Sequence, residues 1–255
     1  LLYAQDPVSV GLPTLIVSRI LRKPYIVKIV GDYAWEQGVQ RSRVTDTLDD
    51  FSVRNSYGFL VQILKYIEKT VALHAKQIIV PSNYLKRIVS NWGIREEMIT
   101  VIYNGFSVPD IPQSKAEIRV GLGYKTPVIV SAGRLVPWKG FSALIRVMKI
   151  VLAEIPNAKL IIAGSGPDES ILRKSIHDLN LENTVSLIGK ISHADLLSVI
   201  KASDVFVLNT AYEGFSHLIL EALALETPIV TTRVGGNVEI VEEGKNGHLV
   251  SYNDE

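Results

Sequence analysis

Residues 127–166 read PVIVSAGRLVPWKGFSALIRVMKIVLAEIPNAKLIIAGSG. The opening PVIVSAG is short, apolar and rich in β-branched residues, and it ends in Gly133, the pattern of a buried strand. In the next stretch Phe141, Leu144, Ile145, Met148 and Leu152 recur at the three- and four-residue spacing of one helix face. KLIIAGSG then returns to a strand pattern. Strand, helix and strand in this order make a βαβ unit. Strands that are apolar throughout must be covered on both faces, so the sheet is parallel.

The same grammar continues toward the end of the chain. A helix through PDESILRKSIHDLN, the strand TVSLIG, the helix HADLLSVIKAS and the strand DVFVLNT follow. A helix is predicted from about Gly214 to Glu226, then PIVTTRVGG, a short helix NVEIVEEG and the apolar HLV. Gly133, Gly164, Gly166, Gly189, Gly235 and Gly236 each follow a strand, which puts them on one edge of a parallel sheet. Ligands of open α/β sheets bind at that edge, and glycine lets backbone N–H groups come close to them. Before residue 127 the pattern is weaker. PYIVKIVGD and AKQIIVPS read as strands, and ITVIYNG reads as a third strand closed by an Asn-Gly turn. Helices are predicted over about 57–74 and 83–90, the latter capped by Ser82. From Pro109 to Lys125 the pattern is irregular, and the linker is placed there, with one domain over 1–108 and a second over 109–255.

Length and composition agree with two α/β domains. The chain has 255 residues, and about 150 residues per domain predicts one large or two small ones. At 47% hydrophobic and 21% charged residues it has the apolar surface to fold. Cysteine is absent, which excludes disulfides, a catalytic thiol and thiolate metal sites. No apolar run approaches the roughly 18 residues of a spanning helix. The near-zero net charge, +1, does not point to nucleic acid. Residues 1–108 carry 13 basic and 9 acidic side chains, and the rest 14 and 17. A mildly basic first domain suits an anionic acceptor or a membrane surface, although ordinary surface variation accounts for a charge this small. The start at LLYAQDP, without Met, and the stop at SYNDE suggest a fragment of a longer protein.

Glu221 is the residue whose chemistry stands out. It lies in HLILEALALE, apolar on every side, and a buried carboxylate is costly without a partner. No Lys or Arg lies four residues away on either side, so the partner is tertiary or a ligand unless His217 is charged. Glu213 lies eight residues earlier, and on one continuous helix the two backbones would be ~12 Å apart. That spacing is too wide for a hydrolytic carboxylate pair and suits an elongated ligand held at two points. Between them GFSH, read as the first helical turn, offers free N–H groups to an anion. Arg134 and Lys139, after the first strand of this domain, reach the same edge. A guanidinium, an ammonium and a helix N-terminus together suit a diphosphate.

AYEGFSHLILEAL resembles the Glu-x7-Glu signature of family 4 retaining glycosyltransferases, and SAGRLVPWKG resembles the Gly-Arg-Leu…Lys-Gly segment of that family. LIIAGSGP, VSLIGKIS, DVFVLNT and PIVTTRVGGNVEIV resemble its intervening strands in the same order, over about residues 127–250. PYIVKIVGDYAWEQG through VIYNG is similar, less diagnostically, to the second part of its amino-terminal domain. The resemblance implies the α/β GT-B fold: two Rossmann-like parallel-sheet domains facing a cleft, here with the amino-terminal one incomplete. It implies transfer of a hexose-type sugar, with retention and without a metal or other cofactor, from a UDP-sugar or GDP-sugar to a carbohydrate or lipid-linked acceptor. It also implies a cytoplasmic enzyme, peripheral at the inner face of a membrane.

Carried onto this sequence, the family's catalytic positions are Glu213, Arg134 and Lys139. Arg134 and Lys139, beside Gly133, would bind the donor diphosphate. Glu221 would hold the ribose hydroxyls and Glu213 those of the transferred sugar. Backbone groups of Gly214, Phe215 and Ser216 would meet the sugar or phosphate, and those near Lys190 and Ile191 the base. Where many members carry a His in the amino-terminal domain, this chain reads GDYAW, so Asp32 or Tyr33 stands in that region without an assigned role. The family's Gly-rich loop and last helices fall outside the sequence.

Other readings are weaker. AGSGPDE lacks the third glycine of a dinucleotide fingerprint, and GLGYKT has Tyr124 where a phosphate loop needs glycine. Ser216 and His217 are adjacent, which does not suit a nucleophile–base pair. The five histidines show no metal-ligand spacing, and there is no Asp-x-Asp. Trp35, Trp92 and Trp138 read as packing residues. A sugar-nucleotide epimerase of the same fold and a non-catalytic nucleotide-binding module remain as alternatives.

Overall fold

The computed structural model describes residues 1–54, 56–107 and 111–255. The chain forms two compact units. Unit 1 holds residues 1–104 together with Tyr212–Phe215, and unit 2 holds the remainder. The expected boundary between 108 and 109 lies outside the described residues.

Unit 1 is built on four parallel strands in the order β1-β2-β3-β4: β1 (Leu2–Ala4), β2 (Tyr25–Lys28), β3 (Gln77–Val80) and β4 (Ile99–Val101). Five helices surround them: α1 (Gly11–Leu21), α2 (Tyr33–Arg41), α3 (Leu48–Val53), α4 (Phe59–His74) and α5 (Asn83–Asn91). Tyr25, Val27, Ile78 and Val80 of the sheet are buried, as are Val61, Val71, Leu85, Ile88 and Val89 of α4 and α5. Ser82 caps α5 through the Leu85 amide, as the sequence predicts. The first three helices are not read from the sequence. In α1 the cap position is Val10, which offers no side-chain acceptor, so the usual start signal is missing. No turn forms at Asn104–Gly105. Asn104 instead accepts from Lys28 Nζ (3.4 Å) and donates to the Phe215 carbonyl (3.3 Å).

Unit 2 has six parallel strands: β5 (Val128–Ala132), β6 (Lys159–Ala163), β7 (Val185–Gly189), β8 (Val205–Leu208), β9 (Ile229–Thr232) and β10 (His248–Val250). Their order is β10-β9-β8-β5-β6-β7. The chain starts in the middle at β5, winds out to β7, returns to β8 and winds the other way. This is the doubly wound order, and its switch point lies between β5 and β8. Its helices are α6 (Lys115–Gly121), α7 (Phe141–Glu154), α8 (Glu169–Asp178), α9 (His193–Ala202) and α10 (His217–Ala224).

Strand alternation splits the core into two faces. Val128, Val130 and Ala132 of β5, with Ile161 and Ala163 of β6, pack with Ile200, Phe206, Ile219 and Ala222 on the side of α9 and α10. Leu160 and Ile162 of β6 point the other way, onto Phe141, Leu144, Ile145 and Met148 of α7 and Leu172 of α8. Leu152, placed by its spacing on the buried face of α7, packs partly buried against the same cluster. Helix α7 ends at Glu154, just before Ile155-Pro156, where proline disfavours helical backbone in its neighbour.

Three expectations are corrected. The expected linker contains α6, opened by a full capping box in which Ser114 and Glu117 bond each other's backbone amides. Lys115 and Arg119 fasten this helix to the carbonyls of Ser203 and Ala202. The helix predicted from Gly214 begins only at His217, because Ser216 is its cap. The short helix NVEIVEEG is a 3-10 turn over Gly235–Glu239.

Candidate donor-nucleotide site

The candidate site in unit 2 starts at the β5–β8 switch point, where successive loops leave the carboxyl edge. The loop after β5 is fastened on both sides. Toward β6, Gly133 N donates to the Ala163 carbonyl (3.0 Å) and Leu135 N to that of Ser165 (3.0 Å). Toward β8, the Trp138 carbonyl accepts from Ala211 N (2.8 Å) and Thr210 Oγ1 (3.1 Å), and Asn209 Nδ2 donates to Gly140 O (3.0 Å). Two glycines make this closeness possible. A Cβ on Gly164 would lie 1.8 Å from the Gly133 carbonyl oxygen, and Gly140 has a φ of +56° with Asn209 Nδ2 2.4 Å from where its Cβ would be.

Arg134 and Lys139 project from this fastened loop. Arg134 is exposed, with its guanidinium carbon 5.3 Å from the Trp138 ring centre. Lys139 ends the 3-10 turn Pro137–Lys139 and is half-buried. Trp138 is buried. The loop therefore carries two cationic side chains on a backbone fastened to the segments after β6 and β8.

Glu221 lies on α10, whose buried positions are Ile219, Glu221 and Ala222. Its side chain is only 8% exposed. Oε1 accepts from His193 Nε2 at 2.9 Å, and Oε2 is buried with no hydrogen-bond partner. An orphaned buried carboxylate oxygen costs stability, so a polar ligand has something to satisfy there. The tertiary partner expected from the sequence is thus a histidine 28 residues away, and sequence spacing offers no signal for it. His193 is the first residue of α9, where Ser192 caps the helix through the Asp195 amide. Lys190, exposed, and Ile191, half-buried, directly precede it after β7.

Glu213, Gly214 and Phe215 are placed differently from the expectation. They lie outside α10, on the segment that groups with unit 1, so the ~12 Å helical spacing of Glu213 and Glu221 does not apply. Within unit 1, Tyr212 is buried, stacks edge-on against Trp35 (centres 5.2 Å apart) and donates to the Val30 carbonyl (3.4 Å). Burial, reinforced by nearby carboxylates, pushes its hydroxyl well above the usual tyrosine range. A Cβ on Gly214 would meet the Val30 carbonyl oxygen at 2.5 Å, and the Phe215 ring lies 5.1 Å from that of Tyr103. Glu213 itself is half-buried. Ser216 spends its hydroxyl on capping α10, at 3.4 Å from the Ile219 amide.

The GDYAW segment also lies in unit 1. Asp32 caps α2, with Oδ1 accepting from Trp35 N at 2.7 Å, and it is fully buried. Burial raises its carboxyl to about 6. Glu68, on α4, accepts from the amides of Tyr33 (2.7 Å) and Ala34 (3.4 Å), and burial with Asp32 nearby raises it well above the usual carboxylate range. Among the described residues no group of three His, Asp or Glu side chains could hold a metal ion, and no helix is long and apolar enough to cross a membrane.

Comparison with known proteins identifies the family of the chain. The sequence profile of the glycosyl transferases group 1 matches residues 113–255. The chain is 33% identical over 206 residues to the capsular polysaccharide biosynthesis glycosyltransferase CapM of Staphylococcus aureus, covering 77% of this chain and 54% of that protein. It is 35% identical over 142 residues to a GDP-mannose-dependent phosphatidylinositol monomannoside mannosyltransferase of Corynebacterium glutamicum, covering 52% and 37%. The crystal structure of HepE from Anabaena with UDP-glucose superposes with a TM-score of 0.78 at 26% identity, over 98% of this chain and 64% of that one. The chain spans about half or less of the length of these curated relatives. Its α/β fold of parallel sheets is that of the GT-B glycosyltransferases, and the chain belongs to the glycosyl transferases group 1 family.

Proposed function

We propose that the protein moves a hexose from a nucleoside-diphosphate sugar to a hydroxyl of a glycan or lipid-linked acceptor, with retention at the anomeric carbon. The observation that carries this reading is Glu221: a carboxylate buried on an apolar helix, with one oxygen held by His193 and the other left without a donor. A vicinal diol such as ribose supplies hydroxyl donors to such a group. UDP is the first choice of nucleotide, in line with the UDP-glucose held by HepE. GDP is the second, in line with the GDP-mannose dependence of the Corynebacterium relative.

In this reading Arg134 and Lys139 meet the diphosphate beside Gly133, and the N-terminal end of α10 adds to the positive field. Backbone groups at Lys190 and Ile191 face the base. Glu213 holds hydroxyls of the transferred sugar, and the backbone of Gly214, Phe215 and Ser216 lines the sugar or phosphate. As the bond from the anomeric carbon to the phosphate oxygen breaks, the sugar gains oxocarbenium character and the diphosphate gains charge. Fixed cations placed where that charge develops lower the barrier. The acceptor oxygen bonds to the anomeric carbon from the leaving group's side, and its proton passes to the departing phosphate. The charge is met by side chains and backbone, and the proposal calls on no metal. It places the enzyme in the cytoplasm, peripheral at the inner face of a membrane. Neither the epimerase nor the non-catalytic module has an observation in its favour.

The test is calorimetric titration with UDP, GDP, ADP and NAD, with Lys139→Ala as control. Binding of one nucleoside diphosphate, weakened in the variant, is the expected result and names the base. Binding of NAD alone overturns the donor reading. Sugar transfer is then measured on the full-length protein with the matching nucleotide sugar.

A further inference from the structure

We propose that His193 is a positioning residue for the donor site: it holds Glu221 so that the carboxylate presents its second oxygen to the ribose hydroxyls. This rests on the donor reading of Glu221 given above. The bond runs from His193 Nε2 to Glu221 Oε1 at 2.9 Å, and Oε2 is the buried oxygen without a partner. A carboxylate only accepts hydrogen bonds, so Nε2 carries the hydrogen.

The two side chains differ sharply in exposure, 64% for His193 and 8% for Glu221. That contrast argues against a bond that serves only the core, since the imidazole stands largely in solvent and contributes little packing. Its anchor is nevertheless rigid. His193 opens α9, and Ser192 just before it bonds both the Asp195 amide (3.1 Å) and the Asp195 carboxylate (2.6 Å). A glutamate has three side-chain torsions, and near-isoenergetic rotamers would smear the carboxylate over several positions. One directional bond to a fixed imidazole selects a single orientation before the ligand arrives, so less entropy is lost on binding. The same short loop carries Lys190 and Ile191. Base contact and ribose contact are thereby set by a single connection, from β7 into α9.

The prediction separates positioning from mere folding, because it concerns the ribose hydroxyls alone. The chain is titrated calorimetrically with UDP and GDP and with their 2′,3′-dideoxyribose counterparts, as wild type, His193→Ala, His193→Gln and Glu221→Ala, with a melting curve for each. Wild type is expected to prefer the ribose form by roughly 30-fold or more, as a site built around a hydroxyl rejects the analogue without it. His193→Ala is expected to weaken the ribose form ~10-fold, cut the preference below ~5-fold and leave the dideoxy form unchanged. His193→Gln, whose amide can still donate, is expected to recover wild-type affinity within ~3-fold. An unchanged preference in His193→Ala, with Glu221→Ala losing it, overturns the role of His193 and leaves the ribose reading standing. An unchanged preference in both variants overturns the ribose reading and this proposal with it. Equal weakening of ribose and dideoxy forms in His193→Ala, with a lowered melting temperature, marks a structural residue and also overturns the proposal. Failure of wild type to bind either nucleotide removes the donor site on which it rests.

Discussion

Glu68 and Glu221 are both buried glutamates on helices, one in each unit, and their oxygens meet different partners. Glu68 is 1% exposed and turned onto the amides of Tyr33 and Ala34, at the start of α2. Both bonds fall on Oε1, which thereby serves backbone donors that would otherwise be orphaned by the helix end. Glu221 is 6% exposed, yet among the described residues its carboxylate accepts from a solvent-exposed imidazole and its other oxygen has no hydrogen-bond partner. Burial alone therefore does not say what a carboxylate does. Asp32 Oδ2 and Asn237 Oδ1 are likewise buried without a hydrogen-bond partner, so an orphaned acceptor marks a place to test for a ligand and does not by itself assign one.

The largest expected effect tests the structural side of this contrast. Burial raises both Asp32, to about 6, and Glu68. In the unfolded chain these groups release their protons near pH 4, while the folded protein holds them to higher pH. The folded state binds more protons at these two groups across that window, so their contribution to stability is greatest below about pH 4 and, for Asp32, is lost as pH rises through about 6. For Asp32 the shift corresponds to about 3 kcal/mol. Asp32→Asn keeps a good capping residue and removes the titration. Urea unfolding from pH 4 to pH 7 should show a flatter stability profile in the variant, with its gain over wild type growing toward pH 7. Parallel profiles would contradict the assignment.

Next is the functional side. Glu221→Ala should lower nucleoside-diphosphate affinity about 100-fold, the loss of hydrogen bonds to a charged group. It should leave the melting temperature unchanged or raised, because the orphaned oxygen is gone. Full affinity in the folded variant would sink the ribose role. Glu68→Ala should do the reverse. Removing the acceptor of two amides costs about 2 kcal/mol of stability, readable as a shifted urea midpoint, while calorimetry shows nucleotide affinity within ~2-fold of wild type. Smallest is Lys139→Ala, expected to weaken a nucleoside diphosphate ~10-fold and the uncharged nucleoside hardly at all, because the lost term is one charge-assisted bond. Comparable losses for both ligands would place Lys139 away from the phosphates.

Legibility follows the same division. The strands of unit 2 were readable because each is buried on both faces and so apolar along its whole length, and the glycines after them mark where loops crowd together. Arg134 and Lys139 stand on such a loop, and the burial expected for Glu221 on the helix after β8 is found. Helix α1 was not, since Val10 gives it no capping side chain. Helix α6 was hidden inside an apparent linker because much of what holds it is tertiary: Lys115 and Arg119 reach carbonyls more than 80 residues away. The start of α10 was misplaced because Gly214 and Phe215 continue its apolar pattern, while Ser216 ends the non-helical segment by capping.

By itself the sequence determined the α/β class, the parallel order of strand and helix, and the presence of a buried acid on the helix after β8. Those properties are local and periodic, and they follow from which side chains avoid water at which spacing. Only the tertiary structure decided that Tyr212–Phe215 groups with unit 1, that Asp32 Oδ1 and Glu68 Oε1 accept from amides at the start of α2, and that Glu221 meets His193. These are pairings between residues far apart in the chain. A hydrogen bond depends on distance and direction in space, and no periodicity along the sequence encodes either.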